Sequence, residues 1–172
     1  LEQALSIDPG YAMAWTNKGA VLINVGRNEE ALQALDKALS LDSGHASVWV
    51  NRSTALINLG RYEQAARALT NAADLDPRNV TIWMNRAACL MNLNRTDESL
   101  QALDEALALD PGHATAWRRK GIILINLGRD EEALRALDGA LAVDQEDAGA
   151  WASRGTALAN LDRYEEALQA LD

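Results

Sequence analysis

The sequence predicts an all-α protein, a solenoid of stacked antiparallel helix pairs, and three observations carry that expectation. Alanine and leucine dominate a 172-residue chain with only 3 prolines, a composition that favours helix throughout. All 5 tryptophans, Trp15, Trp49, Trp83, Trp117 and Trp151, recur at intervals of 34 residues, the signature of a repeat array. Within each interval two apolar stripes of helical spacing flank one residue suited to a left-handed turn.

The elements follow in order. Leu1 to Ile7, "LEQALSI", matches "LDEALAL" from Leu103, so residues 1–11 read as the end of a preceding repeat. Residues 12–45 form the first full unit: Trp15 marks a first helix, Gly26 stops it, and Ala31, Leu35 and Ala38 make the stripe of a second. In residues 46–79, Trp49, Leu56 and Leu59 form one stripe, Gly60 breaks it, and Ala65, Ala66, Leu69, Ala72, Ala73 and Leu75 form the other. Asp76-Pro77 closes that unit because proline restricts the residue before it. Residues 80–113 repeat the plan with Trp83, Asn94 in the turn slot, Ser99 where alanine stands elsewhere, Leu103, Ala106 and a closing Asp110-Pro111. Residues 114–147 carry Trp117, Gly128, Ala133, Leu137 and Ala140, and residues 148–172 carry Trp151, Asp162, Ala167 and Leu171 as a truncated fifth repeat. No helix of a pair can bury its stripe alone, so residues 1–172 are expected to form one solenoid. Both ends interrupt a helix, which predicts a slice of a longer array or two copies stacking end to end.

The run "AWTNKGAVLINVGRNEEALQALDKAL" from Ala14, with its four successors, resembles the tetratricopeptide repeat family. It shows Trp early in the first helix, a small residue four later (Gly19, Ser53, Ala87, Gly121, Gly155), alanines in the second helix and a closing proline, for which Ser43 and Gln145 substitute. The resemblance covers the whole chain. It implies a right-handed superhelix whose first helices line a concave surface. Each tryptophan is expected to be structural, since burying one removes roughly 150–250 Å² from water, a gross gain of about 4–6 kcal/mol.

The first helices carry two rows of asparagine. Asn17, Asn51 and Asn85 share one slot, followed by Arg119 and Ser153; Asn24, Asn58, Asn92, Asn126 and Asn160 share another, inside the recurring "LINLGR" run. With Asn51 as reference, Ser47, Thr54 and Asn58 project on the same side of a helix, while Trp49, Ser53 and Leu56 project opposite. An Asn amide offers one acceptor and two donors, so a row of them can hold an extended peptide by its backbone. This is similar to asparagine ladders of superhelical peptide binders, including the tetratricopeptide region of O-linked N-acetylglucosamine transferases. For the second row a wet position near a helix end is the alternative, although Asn is a mediocre helix former that solvation alone would not select.

Arg118-Arg119-Lys120 is a run of three basic residues on the first helix of the fourth repeat. The Lys120 slot is basic throughout (Lys18, Arg52, Arg86, Lys120, Arg154), which predicts a stem packed between helices. Chaperone-adaptor tetratricopeptide domains clamp a terminal carboxylate with Lys, Asn and Arg; Asn85 and Arg119 match two slots, whereas Val50, Thr54 and Thr115 lack the expected side chains. The resemblance therefore implies a looser site, in which Arg118 and Arg119 hold a carboxylate of a ligand lying over Asn85 and Asn92. The alternative is that both arginines merely offset an acidic surface.

A formal charge of −9 opposes nucleic acid and anionic membranes as general partners. No run is long enough to span a bilayer, and the single Cys89 reads as a small buried apolar residue, consistent with a reducing, cytoplasmic setting. His45 and His113 share a slot two repeats apart, too distant for a common metal. Glu29, Glu30, Glu131, Glu132, Glu165 and Glu166 start second helices, where they favour the dipole. No catalytic constellation, metal or cofactor is expected. The expected function is a protein-protein interaction scaffold that holds an extended segment of a protein or peptide partner; the alternative is the substrate-recognition arm of a larger enzyme such as a glycosyltransferase, or a self-assembling array.

Overall fold

The computed structural model describes residue 5 and residues 7–171; the expected helix end over residues 1–7 lies largely outside them. From residue 12 onward ten helices follow one another: α1 Ala12–Asn24, α2 Asn28–Leu41, α3 Ala46–Asn58, α4 Tyr62–Leu75, α5 Val80–Asn92, α6 Thr96–Leu109, α7 Ala114–Asn126, α8 Asp130–Val143, α9 Ala148–Asn160 and α10 Tyr164–Leu171. No strand occurs among the described residues. The chain divides into two compact units, residues 1–95 with α1–α5 and residues 96–172 with α6–α10. Within each unit successive helices pack on one another, and α1 also touches α3, as α7 touches α9. The all-α tetratricopeptide-like solenoid plan is what the sequence predicts.

First helices stop in the same way each time. The turn residues Gly26, Gly60, Asn94, Gly128 and Asp162 have φ of 76°, 71°, 57°, 69° and 60°, the left-handed region that Gly, Asn and Asp enter at least cost. The N–H of Arg27 then reaches the carbonyl of Leu22 at 2.8 Å, and that of Gly26 reaches Ile23 at 2.9 Å, the paired bonds that satisfy a helix's last carbonyls. Arg27, Arg129 and Arg163 immediately precede the second helices, and each clamps the glutamate three residues on. The hydrogen bonds from these arginines hold the carboxyls of Glu30, Glu132 and Glu166 below the usual range.

The packed stripe is built from one leucine slot and one small slot. Leu35, Leu69, Leu103 and Leu137 are fully buried. Leu35 lies against Gly19 so closely that a Cβ there would sit 2.5 Å from the leucine Cγ, and Gly121 stands in the same relation to Leu137. At Leu171 the slot is 59% exposed, where no further helix follows among the described residues.

The tryptophans differ from the expectation of simple burial. Their rings are only partly covered, and Trp151 is 36% exposed. Every indole N–H instead donates to the carbonyl six residues earlier: Trp15 to Pro9, Trp49 to Ser43, Trp83 to Pro77, Trp117 to Pro111 and Trp151 to Gln145, at 2.8–3.1 Å. Each ring thus pins the turn that joins two repeats, which serves the indole N–H's need for a partner. Asp8, Asp42, Asp110 and Asp144 tighten the same turns by accepting the N–H two residues on.

The basic slot is structural, as expected. Lys18, Arg86, Lys120 and Arg154 lie 5.3–5.8 Å from the ring centroid of the tryptophan three residues earlier. Lys120 and Arg154 also pair with Asp104 and Asp138 on the preceding second helix, and Arg52 pairs in the same way with Asp36. Thr70 occupies the equivalent position below Arg86 and spends its hydroxyl on the Ala66 carbonyl. Thr70→Asp is expected to stabilise the protein by about 0.2–1 kcal/mol, measured by urea denaturation at low salt; the gain should vanish in an Arg86→Gln background.

Candidate functional site

The face of the first helices opposite the packed stripe is polar and, on α1, α3 and α5, built around neutral groups. Asn17, Asn51 and Asn85 sit at one register on these three helices, Asn17 exposed and the other two half-buried. One turn after Asn51, Thr54 turns its hydroxyl back to the Val50 carbonyl at 3.1 Å, the usual resort of a threonine inside a helix. The side-chain amides of Asn17, Asn51 and Asn85 make no hydrogen bond among the described residues, so their donors and acceptors are not used within the fold.

The second row is used differently. Asn58 donates to Asn28 Oδ1 at 3.0 Å and Asn160 to Asp130 Oδ1 at 2.9 Å, in each case at the start of the preceding repeat's second helix. Tyr62 stands in the acceptor position for Asn92, whose amide instead donates to the Ala88 carbonyl at 2.9 Å. Asn24 and Asn126 are exposed. At Asn58 and Asn160 the asparagine of the recurring run thus bridges consecutive repeats.

In the second unit Arg118 and Arg119 part ways. Arg118 Nε lies 3.3 Å from Asp147 Oδ2, the residue whose other oxygen caps α9 by accepting the Ala150 N–H at 3.1 Å. Arg119 occupies the slot of Asn17, Asn51 and Asn85, is exposed, and has no ion pair among the described residues. Sequence reasoning missed the engagement of Arg118; its signal was the pairing of Asp147 with Gly149, where an added Cβ would run into the guanidinium.

Nothing among the described residues assembles three metal-ligating side chains. Cys89 is buried, and desolvation pushes its thiol up to about 11. His113 accepts the Ala116 N–H at 3.2 Å as a helix cap, and His45 lies 3.2 Å from Asp42. No helix among the described residues is long and apolar enough to cross a membrane.

Three tetratricopeptide repeat family models match the chain, over residues 50–114, over 22–70 and 95–155, and over 1–33. The chain belongs to the tetratricopeptide repeat family. Among solved structures, this tetratricopeptide array is similar to YrrB, described as "a TPR protein with an unusual peptide-binding site", with 26% identity, a TM-score of 0.86, and coverage of 99% of this chain and 88% of that one. It shares its fold with MamA, at 18% identity and a TM-score of 0.88 over 92% of this chain and 87% of that one. A MamA from Desulfovibrio magneticus RS-1 has 21% identity and a TM-score of 0.85 over 92% and 90%. No curated protein sequence matches. Tetratricopeptide arrays are scaffolds for protein-protein interaction and typically not enzymes, and this array has their architecture.

Proposed function

We propose that this tetratricopeptide array binds an extended peptide segment of a partner protein through the backbone, using the row Asn17, Asn51 and Asn85. The observation that carries the reading is that these three amides, in register on α1, α3 and α5, have no partner of their own. Backbone capture through Asn donor and acceptor pairs leaves side-chain specificity to other positions. The description of YrrB as a peptide binder lends support at 26% identity. In the second unit, taken by itself, Arg119 is exposed and has no ion pair among the described residues, whereas Arg118 is taken by Asp147. Asn58, Asn92 and Asn160 serve the framework first.

With each neutral bond contributing about 0.5–1.5 kcal/mol net, affinity is expected in the micromolar range. Peptides printed with a free and with an amidated C-terminus test the reading. Binding should survive amidation and weaken about 30-fold in Asn51→Ala/Asn85→Ala, with an unchanged circular dichroism spectrum. Binding that ignores the asparagine substitutions overturns the backbone row. Loss on amidation and in Arg119→Ala would instead assign the ligand's carboxylate as the principal contact.

A further inference from the structure

Two places in this chain, three repeat periods apart, have the same backbone plan and different contents. In the second unit the place is filled from within. Arg118 crosses from α7 to the cap of α9, pairs with Asp147 at 3.3 Å, and lies over the bare backbone of Gly149. The Asp147 side chain is only 14% exposed there.

In the first unit Thr16 stands at the Arg118 position, and its hydroxyl folds back on the Ala12 carbonyl at 3.0 Å. A cavity of about 410 Å³ remains, walled by Tyr11, Met13, Leu41 and Val48, with Asp42 and His45 at its polar end. Asp42 Oδ1 accepts the Gly44 N–H at 2.8 Å, while Oδ2 faces His45 Nε2 at 3.2 Å and belongs to a side chain 48% exposed. That oxygen retains capacity for another donor.

We propose that this cavity receives an arginine side chain of a partner protein. Apolar walls suit the three-carbon stem, the exposed face of Tyr11 suits a flat cation, and Asp42 suits the guanidinium fork. The charge of −9 favours approach of a cation over an anion. Arg118 shows that a first helix can send a guanidinium to this place, where its neighbours Asp147 and Gly149 stand at the register positions of His45 and Ser47; in the first unit the carboxylate is instead that of Asp42, three residues before His45. The inference goes beyond the asparagine row and does not depend on it.

The test titrates N-acetyl-arginine N-methylamide into ¹⁵N-labelled protein and follows backbone amide signals. Saturable shifts are expected at Tyr11, Gly44 and His45, with a dissociation constant in the millimolar range suited to one side chain. They should weaken about tenfold with the citrulline analogue, which keeps the shape and removes the charge. Thr16→Arg, which fills the cavity from within, should abolish them, and Asp42→Asn, which keeps an acceptor for Gly44, should weaken them to the same degree as the citrulline analogue does. Equal shifts with citrulline, shifts unchanged in both variants, or no saturable shift in the wild type would each overturn the assignment. Because the probe is a single capped residue read at Gly44, its result stands apart from peptide binding at Asn51 and Asn85.

Discussion

Trp117→Ala is expected to lower the unfolding free energy by about 3–5 kcal/mol. The ring is packed closely enough on the Gly139 backbone that a Cβ there would meet it at 2.9 Å. Its indole N–H holds the Pro111 carbonyl at 2.9 Å, and Lys120 lies 5.8 Å from its centroid. Removing the side chain opens a void and releases the turn between two repeats at once. Trp117→Phe separates the contributions: it keeps an aromatic ring and loses the hydrogen bond, for a cost of about 1 kcal/mol plus repacking. Urea denaturation of both variants provides the comparison. A Trp117→Ala loss under about 1 kcal/mol would mean that the tryptophan row is not a framework element.

Leu69→Ala is expected to cost about 3–5 kcal/mol as well, for a different reason. Leu69 is fully buried among Leu56, Ala65, Ala72 and Ile82 in the first unit, so truncation leaves an apolar cavity that neighbours on fixed helices fill only in part. A repeat array draws its stability from contacts between adjacent units. The loss should therefore appear as early hydrogen exchange across α3–α5, while α8–α10 keep their protection. Uniform loss of protection through both units would show that the array unfolds as one cooperative body.

The framework was legible in the sequence because each of its parts recurs at one period. The helix pairs, the leucine slot and the turn residues all appear as columns of like residues, and Asn94 and Asp162 could be placed in the turn beside three glycines because only a left-handed conformation unites those residue types. The bonds between columns were harder to read. Asn58 reaches Asn28 across 30 residues and Arg118 reaches Asp147 across 29, separations fixed by how helices lie in space and not by the period itself. The tryptophans illustrate the same limit: their recurrence implied packing, while the bond from each indole to a carbonyl six residues earlier depends on the path of the turn. For the asparagine rows, the period gave the alignment, and only the presence or absence of a partner separates Asn58 from Asn51.

The leucine column reads Leu35, Leu69, Leu103, Leu137 and Leu171, whereas the column that holds Arg118 reads Thr16, Val50, Met84, Arg118 and Ala152. One column admits a single residue type and the other admits five. Duplication of a repeat therefore copies the leucine constraint intact, while the second column takes residues of very different size and charge. A substitution in that column changes what the first helix presents, and at the buried Thr16 and Met84 it must also suit the packing around it.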